Sequence, residues 1–215
     1  MNKETRIVNV RNIPMMVYES PEIISDHIVN YNRFYESDIM EKWLPYFPSE
    51  GLMLDVGANI GNHSLMFKNH FPNLEIWAFE PNFDNFSLLR QNVKNLINVN
   101  SFHFGIGSAT GPVNFNKPDY NNYGSIGVSP DGPDINFVMR LDDIKLYDKK
   151  ISFIKLDVEG HEYSVIEGMV NIILNYSPVI WLEDYTNDAV ELLKSYGYIV
   201  QDFEPDANFL MIKSK

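Results

Sequence analysis

Apolar positions along the chain fall into short runs, and most runs are followed by a stretch in which they recur at three- and four-residue spacing. Leu52–Val56 is such a run, and a helical pattern resumes through Ser64–Asn69. Ile76–Phe79 repeats the unit with a helix capped by Asp84 that sets Phe86, Leu89 and Val93 on its inner face, and Phe102–Ile106 predicts a third strand. The alternation returns at Ile151–Leu156 with a helix marked by Val165, Ile166 and Met169. Pro178–Leu182 then precedes a helix over Asp188–Tyr196 that stops at Gly197. Tyr198–Phe203 and Phe209–Ile212 predict a closing hairpin around Pro205-Asp206. Strand and helix in alternation predict an α/β fold with a doubly wound, mostly parallel sheet and helices on both faces.

Two regions depart from that rhythm. Ahead of it, Arg6–Val10 and Met15–Tyr18 flank Asn12 and Pro14 as an antiparallel pair. Pro21 opens a polar-aromatic stretch from His27 to Tyr35, and Ser37-Asp38 cap a helix carrying Ile39, Met40, Trp43 and Leu44. Residues 1–50 are therefore expected to form a hairpin and helical region packed on a core of residues 51–215. Within the core, Gly111–Val138 is dense in Asn, Asp, Pro, Gly and Tyr. It predicts a hairpin of Val113–Phe115 and Ile126–Val128 around a long loop, Lys117–Gly124, of the kind that carries function.

Composition narrows the possibilities. A chain of 215 residues suits a single α/β domain, and the absence of cysteine excludes disulfides, thiolate metal sites and cysteine nucleophiles. Lys plus Arg number 17 against 29 Asp plus Glu, a net charge of −12 that repels phosphate backbones; with no basic stripe to offset it, nucleic acid is not an expected partner. No apolar run approaches membrane-spanning length, and the opening residues Met1–Arg6 lead into no apolar signal segment. The expectation is a cytoplasmic protein without membrane insertion. The pattern carries no signal for an oligomeric state.

The chemistry gathers where strands end. After Asp55 the chain breaks into Gly57-Ala58-Asn59-Ile60-Gly61-Asn62, a turn whose glycines let a ligand lie against the backbone and whose following helix offers unpaired N–H groups. Counted from Gly57 on the dinucleotide fingerprint, Asn59 and Asn62 stand where glycines admit a pyrophosphate. The turn thus favours an adenosine ligand without phosphates over a nicotinamide cofactor. Glu80 closes the next predicted strand, placed to grip two ribose hydroxyls. Asp157 and Glu183 end two more, so four carboxylates would share one rim, which signals chemistry or a bound cation.

Three segments, LDVGANIGNHSL, AFEPNFDNFSLLRQN and ISFIKLDVEGHEYSVIEG, resemble in this order the FkbM family of S-adenosylmethionine-dependent methyltransferases. SDHI, RLDDI, VIWLED and the closing GY…NFLMI extend the likeness from about Ser25 to the C-terminus. The resemblance implies a class I methyltransferase fold, Rossmann-like with seven strands, over residues 51–215, and O-methylation of natural products or sugars. The donor's methionine end would then lie over Gly57, Ala58, Asn59 and Gly61, its carboxylate held with help from Asn59 and the N–H groups of Asn62, His63 and Ser64. Its ribose would sit on Glu80 and its adenine near Pro81, Asn82, Phe83 and Ile106, with Asp55 and Asp157 close and Tyr35 or Tyr31 as a cover. For the acceptor, a small molecule or glycan and most readily a sugar hydroxyl, Tyr120, Asn121, Asn122 and Tyr123 of the long loop and Glu183 are the candidates.

Two mechanisms fit the same residues. A base drawn from His161, Asp157 and Glu159, with Lys155 keeping a carboxylate ionised, could take the hydroxyl proton; His161 titrates nearest neutrality. Alternatively Asp157 and Glu183 could hold Mg²⁺ or Mn²⁺, an arrangement resembling catechol-type O-methyltransferases. A non-catalytic module that binds S-adenosylmethionine and a nicotinamide-dependent oxidoreductase are the competing readings.

Overall fold

The central apolar runs of the sequence, Leu52–Val56 and Ile151–Leu156, lie side by side in one sheet and are buried on both faces, and the helices between the strands supply the cover. The computed structural model describes residues 3–117, 121–146 and 149–214. In chain order the elements are β1 (Thr5–Val10), β2 (Ile13–Tyr18), α1 (Ile23–Tyr31), α2 (Ser37–Trp43), β3 (Leu52–Val56), α3 (Asn62–His70), β4 (Glu75–Phe79), α4 (Phe83–Val93), β5 (Val99–Phe102) and β6 (Gly105–Ile106). They continue with β7 (Gly111–Phe115), β8 (Asp134–Met139), β9 (Ile151–Leu156), α5 (Glu162–Glu167), α6 (Val170–Tyr176), β10 (Val179–Glu183), α7 (Asp188–Ser195), β11 (Tyr198–Glu204) and β12 (Asn208–Lys213).

The seven-stranded sheet runs β11-β12-β10-β9-β3-β4-β5. Strands β10, β9, β3, β4 and β5 are parallel neighbours, and β12 enters antiparallel between β10 and β11. Strand order reverses at β3, where the chain first builds outward through β4 and β5 and then restarts at β9, so ligands are expected outside the carboxyl ends of β3 and β9. Alternation along the central strands divides the core. Leu52, Leu54, Val56, Ile154, Leu156 and Leu182 face α5, α6 and α7, while Met53, Phe153 and Trp181 face the N-terminal region and α3. Residues of β1, β2, α1 and α2, among them Met15, Val17, Ile28 and Trp43, belong to that second cluster.

Several local expectations are revised. The stretch after Pro21 is not merely polar-aromatic but contains α1, whose N-terminus is capped by the Glu22 carboxylate accepting from Ser25 N at 2.7 Å. Phe102–Ile106 is two strands: β5 closes the main sheet and β6 joins a separate three-stranded sheet of order β6-β8-β7. There β7 pairs with β8, residues the sequence left unassigned. Ile126–Val128 contributes only a single bridge, Val128 to Phe115. The helix predicted around Val165–Met169 is two short helices, broken at Gly168 where the chain presses against Gly107; a Cβ there would lie 2.0 Å from the Gly107 carbonyl oxygen.

Candidate active site

At the switch point the sequence Asp55-Val56-Gly57 leaves β3 and meets Asp157, which leaves β9 beside it. Gly57 has φ +83°, and a Cβ on it would come within 1.7 Å of the Asp157 carbonyl oxygen, so only glycine lets the two turns lie this close. Between them opens a crevice of about 670 Å³, continuous with solvent, whose floor and near wall are Gly57, Asn59, Glu80, Pro81 and Ile106. Asp157, Val158, Glu159 and His161 of the turn after β9 line it too, together with Ile24, Phe115, Gly124, Ile126 and Val128.

Glu80 is fixed by its neighbours. Its Oε2 accepts from Asn59 N and its Oε1 from Asn82 N, each at 2.8 Å, which ties the glycine turn to the start of α4. Burial pushes its carboxyl up to about 7 against the pull of those two donors, with Asp157 and Asp55 adding to the rise. Asn82 also caps α4, its Oδ1 accepting from Asn85 N at 3.0 Å, whereas Phe83 is 66% exposed and packs on His103, outside the crevice.

Beneath the glycine turn lies a buried polar layer. Ser64 Oγ donates to Asp55 Oδ2 at 2.6 Å, while Asp55 Oδ1 has no hydrogen-bond partner among the described residues, and burial raises the Asp55 carboxyl. Asn62 exchanges two hydrogen bonds with the Tyr35 backbone, and His63 Nε2 stands 2.9 Å from Glu36 Oε2. Glu36 in turn accepts from Asn208, which accepts from the Trp181 indole. At the centre is Lys155, 1% exposed, in register with Asp55 on one side and Trp181 on the other. Its ammonium donates to Asp157 Oδ2 at 3.3 Å and stands 5.0 Å from the Trp181 ring centroid. Burial opposes the charge on Lys155, yet Asp157, Glu36, Glu183 and Asp55 outweigh it and hold its pKa above the usual range. Glu36 answers: despite burial, Lys155, the His63 ring and Asn208 bring its carboxyl down to about 2.

Not every expected site residue reaches the crevice. Asp55, Ala58, Gly61, Asn62, His63, Ser64 and Tyr35 do not line it; Asp55, Asn62, His63 and Ser64 are buried. Tyr31 is 67% exposed against His27. Tyr123 is turned to a T-shaped contact with Tyr18 under the Lys3 ammonium, and its carbonyl accepts from Asn85. Asn122 Oδ1 is spent on Gly124 N at 3.0 Å. Tyr120 lies outside the described residues. Glu183 stands beyond the crevice lining, taking a hydrogen bond from Tyr185; burial and then Asp157 push its carboxyl up to about 8. Of the expected catalytic group, Asp157, Glu159 and His161 reach the crevice, but Lys155 and His161 belong to opposite faces of the sheet. Lys155 packs with Trp181, whereas His161 begins α5 on the side of Ile106 and Val165.

For the metal alternative, no group of three or more His, Cys, Asp or Glu among the described residues is arranged to hold an ion. The cation beside Asp157 and Glu183 is the Lys155 ammonium. The residues do fit an adenosine-bearing donor: a bare backbone cradle at Gly57, a buried carboxylate, Glu80, at the end of the next strand, and apolar lining from Pro81, Ile106, Phe115, Ile126 and Val128. Phe115, Ile126, Val128 and Ile24 were not foreseen from sequence; the apolar Ile126–Val128 run was the one signal available for two of them.

The comparisons with known proteins agree with that fit. Residues 55–200 match the model of the methyltransferase FkbM domain. The hexuronic acid methyltransferase AglP of Haloferax volcanii is 29% identical over 148 residues, 67% of this chain and 61% of that protein, so the match spans about three fifths of the relative. A protein of Beauveria bassiana named methyltransferase 1 is 28% identical over 195 residues, 74% of this chain and 77% of its own. Among solved structures, a precorrin-6y C5,15-methyltransferase from Geobacter metallireducens superimposes with a TM-score of 0.51 at 20% identity, covering 82% of this chain and 87% of that one. SMU.1697c of Streptococcus mutans, a methyltransferase-like protein solved with S-adenosylhomocysteine, gives 0.51 at 13% identity over 82% and 96%. These structural likenesses establish the class I methyltransferase fold. No helix among the described residues is long and apolar enough to cross a membrane.

Proposed function

Because the chain belongs to the FkbM family of S-adenosylmethionine-dependent methyltransferases, we propose that it transfers a methyl group to a hydroxyl of a small acceptor, a sugar, with Asp157 as the group that receives the hydroxyl proton. S-adenosylmethionine, when bound, supplies a methyl group on a sulfonium, ready for in-line displacement. Glu80 would hold the ribose, and Gly57 and Asn59 would border the methionine end.

One observation carries the proton-acceptor role: Asp157 lines the crevice and is hydrogen-bonded by the buried Lys155 ammonium at 3.3 Å. That bond leaves the other carboxylate oxygen of Asp157 available to an acceptor hydroxyl, and a base must come within about 2.6–3.2 Å of the proton it takes. Glu159 and His161, the other two groups considered for this role, line the same crevice, and His161 belongs to the opposite face of the sheet from Lys155. The name of the Haloferax volcanii relative supports a carbohydrate acceptor.

The test is turnover of methyl donor against a panel of neutral and acidic sugars, with Asp157→Asn, Glu80→Gln and a chelator as arms. Asp157→Asn is expected to lower kcat by about 10²–10⁴ while donor affinity holds. Glu80→Gln should weaken donor binding by about 1.5–3 kcal/mol. Activity surviving in EDTA fits the proton-acceptor reading; loss restored by Mg²⁺ or Mn²⁺ overturns it in favour of the metal. Donor binding with no turnover on any acceptor favours a non-catalytic binding module.

A further inference from the structure

Resting on the donor-binding reading above, we propose that His161 is a donor-recognition residue whose imidazole hydrogen-bonds the edge of the adenine ring, rather than a base at the reacting oxygen.

The placement follows from the shape of the crevice. Glu80 marks where the ribose would sit, and Pro81, next to it in the chain, lines the crevice together with Gly105 and Ile106 of β6; a Cβ built on Gly105 would lie 3.4 Å from Pro81 Cβ. A flat heteroaromatic ring needs apolar surfaces on its two faces and polar groups only at its edge. Ile106 and Pro81 offer one such surface, and Phe115, Ile126 and Val128 offer another. His161 stands at the end of this slot: a Cβ built on Gly107, the residue after β6, would lie 3.5 Å from His161 Nε2 and 3.7 Å from Val138 Cγ2. No described residue hydrogen-bonds the ring, although it lines the crevice.

Chemistry and position agree. Burial lowers the His161 pKa, which keeps the ring neutral near pH 7, with one nitrogen donating and the other accepting. Adenine presents an exocyclic amino donor beside ring-nitrogen acceptors, so a neutral imidazole can serve either. The Asp157–Lys155 pair lies toward the other face of the sheet, where Lys155 packs on Trp181. A base would be needed at the sulfonium methyl, between the ribose and the methionine end, and not at the adenine end beside β6.

The experiment uses the full chain and two ligands, S-adenosylhomocysteine and 5′-methylthioadenosine, the second lacking the amino-acid end. His161→Ala is expected to weaken both by the same factor, about tenfold, as loss of one hydrogen bond to the base requires. His161→Asn, which retains a donor and an acceptor, should recover part of the loss. In turnover, kcat/KM for the donor should fall with the change concentrated in KM, and the shape of the pH–rate profile should be retained. A His161→Ala protein that binds both nucleosides as the wild type does overturns the proposal, and if kcat also collapses and a limb of the pH profile disappears, His161 is the base. Failure of the wild type to bind either nucleoside would instead defeat the methyltransferase reading itself.

Discussion

The two faces of the central sheet are built from the same strands yet stabilised in different ways. On the α5–α7 face, Leu54, Ile154, Leu156, Ile180 and Leu182 pack without a polar side chain among them, and the contribution is burial, about 1.5–3 kcal/mol for each such residue. On the face toward α2 and α3, the intervening positions are Asp55, Lys155 and Trp181, and a chain of buried charges and amides runs from Ser64 to Asn208. A buried ion pair is weak evidence for stability, because desolvation offsets attraction. The polar face therefore calls for another reason, and its position under the glycine turn supplies one: it holds Asp157 in place beside the crevice and ties the start of α2 to the layer beneath it.

The largest effect should come from breaking that polar face. Lys155→Met leaves the buried Asp55 and the largely buried Glu36, as well as the partly exposed Asp157, without their cation, and the expected loss is about 3–5 kcal/mol in denaturant unfolding near neutral pH. Acidification should shrink the deficit as the carboxylates protonate. A loss that did not change with pH would mean that Lys155 contributes packing alone.

On the apolar face the matching change is Ile154→Ala, at a fully buried position one residue away. It creates a cavity, for an expected loss of about 2–4 kcal/mol. This loss should be the same at pH 5 and pH 8, because no titrating group touches it, and the contrast with Lys155→Met is what identifies the two faces as energetically distinct.

Much of this was legible in the sequence, but not which face each residue would join. The alternation of strands and helices, the glycine turn and Glu80 follow from local signals: an apolar run, a break and a carboxylate at a strand end. Strand β8 does not, because its pairing with β7 joins segments separated by a long stretch of turn formers; of the hairpin expected between Val113–Phe115 and Ile126–Val128, the Phe115–Val128 bridge is what forms. Lys155, Asp157 and His161 are near neighbours in the chain and invite one catalytic group. Strand alternation places Lys155 against Trp181, and the turn at Glu159 and Gly160, both with positive φ, carries His161 over to the other side. Tyr123 reads as a sugar-stacking ring until Tyr18 and Lys3, more than a hundred positions earlier, are found against it.

The unmodified protein should also report the polar face through pH. Burial raises Glu80 to about 7 and Glu183 to about 8, against an ordinary value of 4.5. The folded state thus binds protons that the unfolded chain has released. The stability these groups contribute is complete below 4.5 and is lost as pH rises through about 7 and 8. Glu36, brought down to about 2, acts in the opposite sense, its contribution present above 4.5 and lost only as pH falls toward 2. His161, lowered by burial, opposes the trend only below its ordinary 6.5. Between pH 6.5 and 8.5, therefore, stability should decline by on the order of 1–3 kcal/mol, seen as a falling Tm. Replacing both Glu80 and Glu183 by Gln should flatten the curve.

The smallest expected effect tests whether burial, and not the presence of charges at short range, makes the polar face matter. Lys42 at the end of α2 has partners closer than those of Lys155: Asp202 Oδ2 at 2.8 Å and Glu204 Oε1 at 2.7 Å, against 3.3 Å for Lys155 and Asp157. Those two carboxylates hold the Lys42 pKa up through hydrogen bonds, but the group is open to solvent, where water screens the attraction and ordering a long side chain costs entropy. Asp202 keeps a second donor, the Trp43 indole at 3.0 Å, so removing Lys42 strands no buried charge. Lys42→Ala is accordingly expected to leave Tm unchanged within error, at low and high salt alike. If it instead approached Lys155→Met in cost, the distinction would lie in pair geometry, and the reading of the α2–α3 face as a burial-dependent network would have to be given up.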